Sequence, residues 1–161
     1  MRLDMEEKKL DISWKEYASR EELSEKDRQL LDAAINALAG SYAPYSHFNV
    51  GSAVRLGNDI IVRGANQENS AFPSGLCAER TAMFSAASRY PGEEIVAIAL
   101  VASQNGKLQA APTYPCGACR QVMAQYQQRS GKPMHIIIGS AGKIQVYDGV
   151  EMILPFIFYD I

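Results

Sequence analysis

Along residues 24–40, SEKDRQLLDAAINALAG, apolar side chains return every three or four positions. Leu30, Leu31, Ala34, Ile35 and Leu38 fall on one stripe of a helix, Ser24 can cap its first turn with Asp27 three residues on, and Gly40 closes it. The period then drops to two. In HFNVGSAVRL (47–56) Phe48, Val50, Val54 and Leu56 alternate with smaller or polar neighbours, the chain turns at Gly57-Asn58, and it returns as DIIVRG, which predicts a β-hairpin. Residues 65–76, rich in Asn, Ser, Pro and Gly, read as a loop. From Cys77 the pattern is helical again, with Ala82, Met83, Ala86, Ala87 and Tyr90 on one face and Pro91-Gly92 as the stop. IVAIALVA (95–102) is apolar without a break, as in a strand buried on both faces. A loop holding Pro112 and Pro115 leads into another helix, from about Cys116 to Arg129, striped by Val122, Met123 and Tyr126. MHIIIG and KIQVY follow as two more strands.

The order is therefore helix, hairpin, helix, strand, helix, strand, strand. A strand–helix–strand run makes its two strands parallel neighbours near the middle of a sheet and packs helices against it. The predicted class is α/β, layered α-β-α, with a mixed central sheet of about five strands and helices on both faces. Residues 1–22 read as a polar N-terminal extension and 23–161 as one domain. Within the extension Leu10, Ile12 and Trp14 alternate, which fits a short edge strand and equally a loosely docked tail.

Composition removes several functions. The chain has 161 residues, enough for one self-sufficient core. Its longest apolar run is the eight residues of IVAIALVA, far short of a membrane span, and MRLDMEEKKLD carries no apolar export segment. Net charge is −2 and the 16 basic residues are scattered, whereas polynucleotide binders concentrate basic charge. The expected partner is a small molecule, with no nucleic acid polymer and no membrane. Three cysteines at spacings unlike a disulfide scaffold point to a reduced, cytoplasmic setting and to metal or catalytic use.

All three sulfurs lie in LCAERTAM (76–83) and YPCGACRQ (114–121), where loops become helices. Helix N-termini expose unpaired N–H groups and partial positive charge, which favour the thiolate that zinc binds. Cys116 and Cys119, three apart, project from one helical face, and Cys77 from the other helix start can complete a three-thiolate site with its fourth position open, as in catalytic zinc. Glu79, two residues past Cys77, can flank such a metal without joining it and move protons, and Arg80 can compensate the thiolate charge. PCGAC by itself fits half of a structural zinc site or a redox dithiol equally well.

Cys-Ala-Glu followed by Pro-Cys-x-x-Cys resembles the zinc deaminase signature, in which a glutamate that is not a ligand is the general acid and base. More narrowly, the chain is similar to the small cytidine deaminases whose zinc ligands are all cysteines. The matching stretches are YAPYSHFNVGSA (42–53), GANQENSAFPSGLCAERTA (64–82), PCGACRQV (115–122) and ILPFIF (153–158). The resemblance implies the cytidine deaminase-like fold, Zn2+ on Cys77, Cys116 and Cys119, and proton transfer by Glu79. Water activated at the metal would add to C4 of cytosine and ammonia would leave, converting cytidine and deoxycytidine to uridine and deoxyuridine in pyrimidine salvage. By the same resemblance, Arg80 hydrogen-bonds the thiolates, Asn66 and Glu68 hold the sugar hydroxyl, Phe48 lines the nucleoside pocket, and the backbone around Ala78 contacts the pyrimidine. Phe72 and Phe158 correspond to aromatics that reach a neighbouring subunit's site, which implies a homotetramer with shared active sites.

Three positions depart from the family pattern. Gln67 stands where an aliphatic residue is common, Phe72 where Tyr is common, and Ser70 where a small apolar residue is common. The alternatives are a deaminase of the same fold acting on another aminopyrimidine, such as a nucleoside antibiotic, and a structural zinc module with His47 or His135 as fourth ligand. A redox pair of Cys116 and Cys119 is the third.

Overall fold

The computed structural model describes residues 5–159. In chain order the elements are β1 (Lys15–Tyr17), α1 (Glu25–Ala37), β2 (Phe48–Leu56), β3 (Ile61–Ala65), α2 (Ala78–Arg89), β4 (Ile95–Gln104), β5 (Lys107–Leu108), α3 (Gly117–Ser130), β6 (His135–Gly139) and β7 (Ile144–Asp148). The strands run β1-β7-β6-β4-β2-β3 across one mixed sheet, with β5 added to β4. Among the described strands only β4 and β6 pair in parallel, with α3 as the crossover between them; every other strand pairing is antiparallel. The layered α/β class and the parallel centre are as the hydrophobic pattern predicts.

The sheet has seven strands where about five were expected from the pattern. The additions are β1 and β5, three and two residues long, too short to show a period. An edge strand does form in the extension, but not on the alternating residues. It begins at Lys15 and pairs with β7 (Lys15↔Val146, Tyr17↔Ile144), while Leu10, Ile12 and Trp14 stay exposed. Three residues, mostly exposed, are too few to carry an alternating pattern of their own, so the pairing with β7 is what places the strand.

Each strand of the centre feeds two cores. Ile98 and Leu100 of β4, Ile136 and Ile138 of β6, and Val54 of β2 meet Met83 of α2 and Met123 of α3 on one face. Ala97, Ala99 and Val101 of β4 and Ile137 of β6 meet Leu30, Leu31 and Ala34 of α1 on the other. This double burial is why IVAIALVA shows no alternation. Capping sets the helix ends. Ser24 Oγ accepts the Asp27 N–H at 3.2 Å, and α3 stops at Gly131, whose φ of 67° a Cβ would strain.

Glycine also sets how close α2 comes to the sheet. A Cβ on Gly64 of β3 would stand 2.3 Å from the Ala82 nitrogen and 2.8 Å from the Ala78 carbonyl oxygen. The first turn of α2 therefore lies directly on β3, and that turn carries the Cys-Ala-Glu stretch.

Candidate active site

Cys77 is the residue before α2 and Cys116 the residue before α3, both extended (ψ 155° and 166°), so each thiol sits at a helix start. Cys119 follows one turn into α3 and is buried. The three Sγ atoms lie within 4.8 Å of one another, with Cys77 and Cys116 at 3.7 Å. Tetrahedral zinc with Zn–S near 2.3 Å requires sulfur–sulfur edges of roughly 3.8 Å, so this donor set fits zinc. Among the described residues no histidine joins the group. His135 is held between Asp27 at 3.1 Å and Asp148 at 2.7 Å, and His47 occupies a positive-φ turn position (φ 55°).

The electrostatics favour thiolate at Cys77. Its thiol is pushed down to about 5, first by the hydrogen bond with Cys119 and, against the effect of burial, by Arg80 and Cys116. The Cys119 thiol is pushed the other way, up, by Cys77 and by burial. Arg80 Nη2 donates to Cys77 Sγ at 3.6 Å, and its buried Nε has no hydrogen-bond partner among the described residues. Glu79 sits on the first turn of α2 and is 3% exposed. Burial, and then the neighbouring Cys77 charge, push its carboxyl up to about 7 against the pull of its own backbone N–H. A buried carboxyl without an arginine or lysine ion pair among the described residues is rare in a core unless chemistry needs it.

A cleft of about 370 Å³ opens above this floor. Phe48, Asn66, Glu68 and Phe72 line it together with Cys77, Cys116, Glu79 and Arg80. The motifs and the family resemblance point to all eight, from segments as far apart as residues 48 and 116. Ala78 is fully buried as the first residue of α2 and contributes no side chain to the cleft wall. Phe158 stands outside the cleft of its own chain, 65% exposed, its carbonyl accepting from Gln121 Nε2 at 2.9 Å.

The wall is braced by its own side chains. Asn66 Oδ1 accepts from Val50 N at 2.8 Å and from Ser41 Oγ at 2.5 Å, and Asn66 Nδ2 donates to the Phe48 carbonyl at 2.9 Å. Its amide thus continues the β2 ladder where β3 has ended and leaves one Nδ2 hydrogen uncommitted. Glu68 Oε2 accepts from Tyr45 N at 2.9 Å and Ser46 N at 3.2 Å, and Oε1 from the Ser46 hydroxyl. That hydroxyl, then the two backbone N–H groups, holds the carboxyl below the usual range. The Phe72 ring meets Tyr45 edge-on, with centroids 5.8 Å apart, at the rim.

Tyr114 and Thr113 also line the cleft, and no expectation from the sequence covers them. The only available signal was an aromatic one residue before Pro115, and a lone aromatic in a loop carries little. Arg120, likewise without a role expected from the sequence, donates from Nε to the Pro115 carbonyl at 2.8 Å and from Nη1 to the Ile153 carbonyl at 2.6 Å, tying the Cys116 turn to the C-terminal segment.

Known proteins share both sequence and fold with this chain. The cytidine and deoxycytidylate deaminase zinc-binding region matches residues 24–131. A cytidine deaminase of Halalkalibacterium halodurans is 48% identical over 100 residues, covering 62% of this chain and 71% of that protein. One from Mycobacterium tuberculosis is 38% identical over 93 residues, 58% of this chain and 65% of its own. The crystal structure of a Burkholderia pseudomallei cytidine deaminase superposes with a TM-score of 0.69 at 35% identity, covering 81% of this chain and 97% of that one. Since the family's region spans both cysteine stretches, the zinc-fitting floor lies inside the shared part, and this chain belongs to the cytidine and deoxycytidylate deaminase zinc-binding family.

Proposed function

We propose that the protein hydrolyses the exocyclic C–N bond of cytidine and deoxycytidine, giving uridine or deoxyuridine and ammonia. The observation that carries this reading is the floor: three thiols within 4.8 Å of one another, beside a 3%-exposed Glu79, under a nucleoside-sized cleft. Relatives named cytidine deaminase support the substrate class.

Cys77, Cys116 and Cys119 would hold zinc, which when bound supplies Lewis-acid activation of water near neutral pH. Glu79 takes one proton from water as its oxygen bonds to C4 and passes it to N3. It then moves the remaining hydroxyl proton to the exocyclic nitrogen, which departs as ammonia as the C4–N bond breaks and the C4 carbonyl forms. The main chain at Ala78 faces the pyrimidine, where N–H groups at a helix start have no intrahelical partner. Arg80 offsets the charge of three thiolates through Cys77. On the sugar side, Asn66 offers its uncommitted Nδ2 hydrogen and Glu68 a carboxylate held by the 45–46 turn, so both reach the hydroxyl preorganised. Phe48 packs beside the nucleoside.

Phe72 and Phe158, 70% and 65% exposed, fit contacts to neighbouring copies, and the assembly would be a homotetramer with shared active sites. Residues 23–161 form the catalytic domain and 1–22 an extension. The setting is cytoplasmic, where three unpaired cysteines stay reduced, and the role is pyrimidine salvage. Among the described residues no helix is long and apolar enough to cross a membrane.

Ammonia release from cytidine by wild type and Glu79→Gln tests the reading. The substitution should lower kcat by about 10²–10⁴, the usual share of a general acid–base, with zinc content unchanged. Wild type that holds zinc yet leaves both nucleosides intact would overturn the substrate assignment and favour another aminopyrimidine.

A further inference from the structure

The extension reaches the cleft through a line of hydrogen bonds. Glu16 of β1 takes two donors: Gln145 Nε2 on its Oε2 at 2.9 Å and Lys143 Nζ on its Oε1 at 2.9 Å. A carboxylate only accepts, so Gln145 must turn its NH2 toward Glu16 and its carbonyl the other way. That carbonyl oxygen, on a residue only 5% exposed, accepts the Tyr114 hydroxyl at 2.7 Å and the Tyr147 hydroxyl at 2.8 Å. Tyr114 in turn lines the cleft one residue before the Pro115-Cys116 turn. Trp14 braces the same corner, its ring 5.9 Å from that of Tyr147.

We propose that Glu16, from outside the shared deaminase region, is a positioning residue for substrate binding: by fixing the Gln145 amide it holds Tyr114 in the cleft wall. Without Glu16 nothing among the described contacts dictates which end of the Gln145 amide faces the tyrosines. A tyrosine hydroxyl accepts as well as donates, so what Glu16 prevents is chiefly the unanchored Gln145 side chain swinging away from both tyrosines. That swing would take the acceptor from the Tyr114 hydroxyl and free its ring to leave the wall. The surface ion pair between Glu16 and Lys143 is not needed for this, since Gln145 meets the other carboxylate oxygen. The kinetic part of the test rests on the cytidine reading above; the structural part does not.

The experiment compares the full-length zinc-loaded protein with Glu16→Ala, Glu16→Gln, Tyr114→Phe and the Glu16→Ala/Tyr114→Phe double variant. Glu16→Ala should raise KM for cytidine about fivefold, the scale of one net hydrogen bond, with kcat nearly unchanged. Glu16→Gln, whose amide oxygen can still accept from Gln145, should recover most of the affinity. The double variant should be no worse than Tyr114→Phe alone, because both changes cut one line. Lys143→Ala should leave KM at the wild-type value. A crystal structure of the Glu16→Ala protein should show the Tyr114 ring moved from the wall. A wild-type KM in Glu16→Ala, or additive effects in the double variant, would overturn the proposal. If wild type leaves cytidine intact, the substrate reading fails by itself, and the position of the Tyr114 ring still decides: unmoved, the positioning role falls.

Discussion

Around Cys77 a buried carboxyl, a half-buried guanidinium and three thiols have few protein partners, whereas along the Asn66–Glu68 wall nearly every polar atom is bonded to the chain itself. On the floor, Glu79 is 3% exposed, Arg80 Nε has no partner among the described residues, and three thiols share no disulfide. On the wall, Asn66 uses both ends of its amide on Ser41, Phe48 and Val50, and Glu68 uses both oxygens on Tyr45 and Ser46. Groups left unsatisfied in a core destabilise it, so the floor is maintained for what binds there. Groups satisfied in place hold a shape, so the wall presents a preformed edge. The difference teaches that the two ends of one cleft should fail in different ways: the floor through chemistry, the wall through stability and affinity.

Cys77→Ala gives the largest contrast. It removes one of three donors, so zinc content by metal analysis should fall well below one per chain and ammonia release should reach background, with the fold kept in circular dichroism. Full zinc retention in that variant would break the floor reading. Gly64→Ala attacks the floor from beneath, because its Cβ would meet the Ala82 nitrogen at 2.3 Å and must push the first turn of α2 away. A loss of about 1–3 kcal/mol in denaturant unfolding is expected, together with reduced turnover, since Glu79 rides on that turn. Asn66→Ala tests the wall. Losing a part-buried bracing amide should destabilise by about 1–3 kcal/mol and raise KM, while kcat falls far less than in Glu79→Gln. If Asn66→Ala instead leaves Tm unchanged and abolishes kcat, floor and wall are not distinct. The smallest effect belongs to Lys26→Ala, which removes an exposed ion pair to Asp59 at 2.8 Å. Its Tm should stay within about 2 °C of wild type, as exposed pairs contribute little.

How far the sequence reaches follows the same division. Cys77, Cys116 and Cys119 were legible because helix starts can be read from local pattern and because three scarce sulfurs fall on two of them. Glu79 and Arg80 were legible as neighbours of Cys77. Asn66 and Glu68 were legible only through family likeness, since in a loop of Asn, Ser and Gly their local pattern is that of ordinary capping residues. Tyr114 was not legible at all. Its place in the wall depends on Gln145 and Glu16, 31 residues after it and nearly a hundred before it. Contacts across such separations leave no periodic trace. The two short strands are hard to read for a related reason: β1, expected near residues 10–14 and found at Lys15–Tyr17, and β5 are three and two residues long, too few to show a period.

The sequence by itself determined the layered α/β class, the doubly buried central strand and the two helix starts that carry sulfur, because each is written in local period, capping and breaker residues. Only the tertiary structure decided that the starts of α2 and α3 meet with their sulfurs within 4.8 Å, that Gly64 lets α2 lie flat on β3, and that the extension reaches the cleft through Gln145. Those are matters of distance between segments far apart in the chain. They are set by how two helices pack on one twisted sheet, and no short stretch of residues holds that information.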